Sequence, residues 1–394
     1  MELLKNQEKI IAIHNFMMEL EDRNHSLTKP EIYRKYESVL SEITPIDIFF
    51  LPMYQNNTSF SIDDIKETAG KFVNVFYHGL EQHQPSSYDS NLLIYLLREN
   101  DAIEKHLNKI KPYFKRSEIL EHKEEILTTI EQCMQFERKF LKREMILFSV
   151  LEHHLPTTKP LEVLWSLHDD ARSTLKLLLQ ELRQQQPDIT SLIFLIGDYY
   201  NLIYGINTKE KLILFPVANQ VLSTEEKQNI FEESKEYGYV FIDDIPKPSS
   251  DTNNDVILDG FIKTSTGELS IQEFDGIMRY IPIDITFVDK DDKVRYFNNR
   301  KERHFPRNPS IIGRLVKHCH PPKSVHIVEQ IVTAFKKGDK DIAEFWITFN
   351  NMFLYITYYA VRLKKGEYLG TLEVSQDVTR IRTLEGQQRL LDWA

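Results

Sequence analysis

The chain has 394 residues, 41% of them hydrophobic and 27% charged, with a formal net charge of −10. That length points to two or three domains, and the acidic balance argues against a nucleic-acid partner, since the basic pairs Lys336-Lys337 and Lys364-Lys365 are short turn charges. The apolar runs read as shorter than the ~18 residues of a membrane span, there is no signal-peptide core, and Cys133 and Cys319 make no disulfide framework. A soluble cytoplasmic protein with no membrane partner is the expectation.

Residues 1–83 read as a helical domain, with Ile10, Ile13, Phe16, Met17 and Leu20 at helical spacing. A cap at Ser61 followed by Asp63-Asp64 announces a further helix through KETAGKFVNVFYHGLEQ. Residues 88–244 then carry amphipathic segments at about 90–111, 117–154, 160–186 and 188–219, joined by loops marked by Pro112, Pro156 and Pro187. Long amphipathic segments with short loops predict an up-down four-helix bundle. A short helix, STEEKQNIFEESKEYG, follows.

From Ile245 the helical period stops, and IPKPSSDTNND opens a linker over 245–268. Residues 269–394 change to a strand period. IDITFVD and KVRYFNN are strands around Lys290-Asp291-Asp292, SVHIVEQIVTAFKKGDKD is a helix, and IAEFWITF, MFLYITYYAVRL and EYLGTLEVSQDV are strands. TRIRTLEGQQRLLDW reads as a closing charged helix. The fold class expected is multidomain: an all-α N-terminal region and four-helix bundle, then an α+β domain with a five-stranded antiparallel sheet.

The chemically richest stretch is KHCHPPKSVH. His318, Cys319, His320 and His326 offer imidazole and thiolate, which suit a metal, haem or redox site. In an extended segment His318 and His320 share a side and Cys319 points away. The spacing matches no standard zinc pattern, and the alternative is that these residues pack against and cap the helix near Ser324.

IPIDITFVDKDDKVRYFNN, KERHFPRNPSIIGR, HCHPPKSVHIVEQI, AEFWI and GEYLGTLEVSQDVT resemble one bacterial family, and the likeness runs from Ile281 to Trp393. Its members join an N-terminal helical domain, a hemerythrin-like (HHE-type) bundle and a C-terminal PAS domain. The Asp377-Val378-Thr379 ending resembles the point where a PAS sheet passes into a signalling helix. The resemblance implies a pocket between the sheet and its covering helices. Strand alternation sets Ile283, Ile285 and Phe287 on one face and Asp284, Thr286 and Val288 on the other. Phe287, Trp346, Tyr355 and Tyr358 are the aromatic lining candidates, with His304 as a polar handle. Either they line a ligand pocket, with haem or flavin as cofactor candidates, or they fill a closed core.

The resemblance also implies two irons held by histidines and carboxylates of the bundle. The histidine expected ahead of Leu147-Phe148 falls at Lys139, the one ahead of Leu214-Phe215 at Ile206, and the one on the first helix near Asn91. His168 and Glu210 fit the pattern. The diiron site therefore reads as lost, with Lys139 free to pair with Glu210 or Glu144 and His168 left as a hydrogen-bonded core residue. Glu152-His153-His154 sits at a helix end, where histidine favours the dipole.

The sequence shows no phosphate-binding glycine loop and no nucleophile elbow, so an enzyme is not the expected reading. The function expected is a sensor or regulatory protein that binds a small molecule or cofactor and signals through an unidentified protein partner or its own homodimer. The alternative is a hemerythrin-like metal protein handling oxygen, nitric oxide or redox stress.

Overall fold

The computed structural model describes residues 7–22, 26–51, 66, 73, 75–85, 87–115, 118–246 and 260–387. The chain divides into two compact units, Met1–Pro248 and Ser249–Ala394.

In the first unit the N-terminal helix Gln7–Glu21 buries Ile10, Ile13, Phe16 and Met17, the face that the periodicity marks. Thr44 caps Pro45–Phe50 through a reciprocal box with Asp47, and Lys9 pairs with Asp47 at 2.7 Å. Most of the helix expected from Ser61 lies outside the described residues. Lys66 is described, and it reaches Asp170 at 2.6 Å. One continuous apolar cluster runs from Ile10 to Ile242. Among the described residues this cluster includes side chains on both sides of the boundary expected between 83 and 88, such as Leu80 and Leu92.

The bundle follows as Asn91–Leu107, a second run from Lys123 to His154, then Lys159–Leu182 and a fourth run from Ile189 to Val221. Pro160 stands in the first turn of the third helix, and the Asp188 side chain accepts from Thr190 N and Ser191 N to start the fourth. Fully buried Ile103, Ile130, Leu178 and Leu192 each stabilise the bundle by about 1.5–3 kcal/mol. The second and fourth runs widen to π-helix over Lys142–Leu147 and Glu210–Leu214. Such segments are rare and concentrate at functional sites; here both begin at charged residues facing the core. By length and composition the helix Ile189–Val221 suffices to cross a membrane, with a hydropathy of 1.3. That corrects the expectation that no run does. Mostly buried core helices pass the same test; here 28% of the most apolar window is buried.

In the second unit, β1 (Phe261–Thr264) and β2 (Gly267–Ser270) form a hairpin where a linker was expected. The rest of that linker, 247–259, lies outside the described residues. Ser270 caps the helix Ile271–Tyr280. The five-stranded antiparallel sheet comprises β3 (Asp284–Asp289), β4 (Val294–Phe297), β5 (Ile342–Phe349), β6 (Met352–Arg362) and β7 (Tyr368–Asp377), in the order β4-β3-β7-β6-β5. Helix Pro322–Lys337 connects β4 to β5 and ends on Gly338 at φ 80°, a left-handed position that suits glycine. Of the expected closing helix, residues 379–387 are described; they hold one 3₁₀ turn, Ile381–Thr383, and 384–387 are not helical. The remainder, 388–394, lies outside the described residues.

Candidate functional site

Inside the apolar core of the bundle lies a network of buried charge. Four residues apart on one helix, Lys139 and Arg143 share a face. Arg143 Nη1 donates to Glu99 Oε2 at 2.6 Å and Nη2 to Glu210 Oε2 at 3.2 Å, so one guanidinium bridges the first and fourth helices. Lys142 Nζ donates to Glu99 Oε1 at 2.7 Å, and Lys139 Nζ stands 3.3 Å from Glu210 Oε2. Asn100 Nδ2 donates to the same Glu210 oxygen at 2.9 Å, and Lys139 also donates to Asn207 Oδ1. All five charged side chains are buried. Burial pushes Lys139 and Lys142 down to about 8. Burial works to raise the two carboxyls, but Lys142 and Arg143 outweigh it at Glu99, as Arg143 and Lys139 do at Glu210, and both end below the ordinary value.

A second cluster adjoins it. His168 Nδ1 donates to Glu144 Oε1 at 2.8 Å, while Arg172 holds both oxygens of Glu144 at 2.9 Å. Burial holds His168 far below its ordinary pKa, so the ring is neutral and Nε2 carries the lone pair. That Nε2 and Glu210 Oε1 are buried without hydrogen-bond partners.

These residues do not fit the pair of irons that the resemblance implies. His168 Nε2 and Glu210 Oε1 are suitable donors, but Lys139, Lys142 and Arg143 place three cations around two carboxylates. A dication entering there meets positive charge where imidazole should be. Ile206 is buried and apolar, and Asn91 is exposed at the start of its helix. Among the described residues, no group of three or more His, Cys, Asp or Glu is placed to hold a metal ion.

The second candidate is one face of the sheet. Directly paired residues of antiparallel strands share a face, and the pairing joins Ala343, Tyr358, Glu373, Thr286 and Phe297 in one row. The adjacent row is Phe345, Ile356, Ser375 and Asp284. The segment between β4 and the helix covers this inner face. Arg300 Nη1 reaches Asp284 Oδ1 at 3.1 Å, His304 N donates to Asp284 Oδ2 at 2.7 Å, and Arg307 Nη2 lies 3.9 Å from Glu373. Arg303 donates to Asn298 O, Asn298 Oδ1 and Phe305 O, and burial lowers it to about 10. His320 Nδ1 donates to Val316 O at 2.8 Å. Burial, with Arg307 and Arg314 nearby, holds His320 below its ordinary value against the pull of Glu373.

The residues singled out in the sequence divide. Tyr358, His304 and His320 belong to the inner face or its cover. Phe287, Trp346 and Tyr355 lie on the opposite face by the same register, and Trp346 is 60% exposed. The buried side of β3 is Asp284, Thr286 and Val288, so the inner face carries the polar alternation and not the apolar one through Phe287. The extended reading of the histidine stretch is also corrected. Val316–Cys319 is a 3₁₀ turn, which removes the strand alternation that was to bring His318 and His320 to one side. Cys319 packs with Val288, Val294 and Ile311 in a small core, His318 is half-buried, and His326 is exposed on the helix that starts at Pro322. Sequence reading passed over Arg300, Arg303, Arg307, Arg314 and Glu373. The available signal was the run 300–317, in which Glu302 is the one acid among five lysines and arginines before Lys317.

Comparison with known families gives two matches: the hemerythrin HHE cation binding domain over residues 91–218 and the PAS domain over 274–379. Among solved structures, a C-terminal domain from Streptococcus mutans is 34% identical, covering 32% of this chain and 99% of that one, with a TM-score of 0.31. The PAS domain of a protein from Colwellia psychrerythraea is 15% identical, covering 28% of this chain and 98% of that one, with a TM-score of 0.22. No curated protein matches.

Proposed function

We propose that this chain, which matches the hemerythrin HHE domain over residues 91–218 and the PAS domain over 274–379, is a sensor whose PAS unit binds a small molecule on the inner face of its sheet; the two domains fit a sensor or regulatory role or a metal-binding one. One observation carries this reading. The polar cover of that face is wired to the end of the last strand, since His304 takes Asp284 through its backbone and accepts from Asp377 N at 3.2 Å through Nε2. Asp377 in turn caps Thr379, whose hydroxyl accepts from Phe353 N at 2.7 Å. A ligand that moves the cover therefore acts on the Asp-Val-Thr exit, from which a signal would pass to a homodimer or a protein partner. In this reading the bundle is a metal-free, charge-locked body.

The test is hydrogen exchange of the full chain with and without compounds that raise its melting temperature. Ligand-dependent protection at both 300–307 and 377–383 supports the reading, and protection at the cover alone sinks it. An absorption spectrum of the purified protein checks haem and flavin.

A second reading, a metal protein, is favoured by the unpartnered His168 Nε2 and Glu210 Oε1. Lys139 and Arg143 on the same carboxylate oppose it.

A further inference from the structure

The inner face of the PAS sheet is unbalanced in charge. Asp284 is matched by Arg300 at 3.1 Å. Asp284 also acts on Arg303, more strongly than Glu373 does, so two carboxylates serve Arg300, Arg303 and Arg307, and Glu373 is the one paired with Arg307. The hydrogen bonds of Arg303 go to neutral oxygens of Asn298, Phe305, Ile285 and Thr286. Arg307 is 9% exposed along its side chain, its ion pair with Glu373 is long at 3.9 Å, and its Nε is buried without a hydrogen-bond partner. A buried guanidinium normally satisfies its fork in a bidentate pair. Arg307 has the fork and lacks the second half of the pair.

The sheet surface beside it is apolar and partly exposed. Phe345 and Tyr358 are half-buried on the inner face, and Ile347, two residues along β5 from Phe345 on the same face, is 37% exposed. A site with a guanidinium wall and an aromatic floor recognises an anion with an apolar body.

We propose that the inner face takes a small organic carboxylate, its carboxylate on Arg307 beside Arg303 and its carbon skeleton on Tyr358 and Phe345. The inference rests on the sensor reading and adds the chemical class of the ligand. Glu373 is the internal anion that the ligand displaces from Arg307.

The experiment is calorimetric titration of the full-length chain with succinate and phenylacetate, with phenylacetamide as the neutral match and inorganic phosphate as the bare anion. Each is repeated on Arg307→Met, Arg307→Lys and Glu373→Gln. A carboxylate is expected to bind, and phenylacetamide is expected to bind at least about tenfold more weakly, a difference of one lost charged contact. Arg307→Met should abolish carboxylate binding, Arg307→Lys should retain part of it, and Glu373→Gln should tighten it. The gain in Glu373→Gln keeps the proposal falsifiable if Arg307→Met fails to fold. Equal binding of phenylacetamide, or carboxylate binding unchanged in Arg307→Met and Glu373→Gln, overturns the carboxylate inference and leaves the sensor reading standing. Phosphate binding with no organic carboxylate binding also overturns it. If none of the probes binds and a broad metabolite screen gives no thermal shift, the sensor reading itself falls.

Discussion

Lys139 Nζ lies 3.3 Å from Glu210 Oε2 inside a core where both side chains are essentially inaccessible to solvent. An ammonium thus stands on the carboxylate that the family pattern reserves for a metal. The energetics follow from burial. Moving a charge out of water costs several kcal/mol, which a good partner offsets and a poor one does not.

Arg143 bridges Glu99 and Glu210, whereas Lys139 shares Glu210 with Arg143 and Asn100. Arg143→Met takes a guanidinium partner from two buried carboxylates at once, leaving Glu99 on Lys142 and Glu210 on Lys139 and Asn100, and should cost about 3–5 kcal/mol. Lys139→Met removes the surplus cation and should lie within about 1 kcal/mol of wild type, because replacing an imperfect buried ion by an apolar group is often neutral. Urea unfolding of the helical unit measures both, and equal losses would show that Lys139 is as well compensated as Arg143.

The pH dependence has a defined sign. Lys139 and Lys142 are pushed down to about 8 in the folded chain, against an ordinary 10.5. Between those values the unfolded chain binds more protons, so this contribution to stability rises with pH. Wild type should gain on Lys139→Met as pH goes from 7 to 10 in paired melts, and a widening deficit would contradict the assignment. On the acid side Glu99 and Glu210 are held below the ordinary 4.5. Their stabilisation is complete above that value and is lost as pH falls through the lowered folded values.

Metal uptake separates the two readings of the bundle. Anaerobic incubation with ferrous iron, followed by desalting and elemental analysis, should leave well under two irons per chain. The cations at Lys139, Lys142 and Arg143 oppose the charge of the pair. Two tightly held irons would falsify the charge-lock account.

Asn298 is fully buried and ties three elements together. Its Oδ1 accepts from Ile285 N and Arg303 Nη1, and its Nδ2 donates to Met278 O and Ile283 O. Asn298→Ala leaves those groups unsatisfied and should cost about 3 kcal/mol. Its exposed neighbour, in Asn299→Ala, should change stability by less than about 0.5 kcal/mol. Thermal melts of the PAS unit within the full chain compare them.

Thr379→Val removes the hydroxyl that accepts from Phe353 N and leaves the backbone bond from Val378 N to Phe353 O. The expected result is faster amide exchange at Phe353 and 379–383 with a stability loss of about 1 kcal/mol. Unchanged exchange there would remove the exit from the proposed signalling route.

The amino-acid sequence by itself determined the order of elements, because helical and strand periods are local and change at the 245–268 region. It also determined that three of the histidines the resemblance implies are missing, since Lys139, Ile206 and Asn91 are read off directly while His168 stays. What only the tertiary structure decided is pairing. Glu210 takes Lys139 while Glu144 goes to His168 and Arg172, a choice made by contacts across helices with no local signature. The same holds for the sheet. Alternation separates the two faces of β3, but it does not say which face the 300–320 segment will cover. Apolar Phe287 was the natural candidate for the inside, and the arginines of that segment made Asp284 and Thr286 the inner residues instead, because a buried carboxylate is stable only where a cation reaches it.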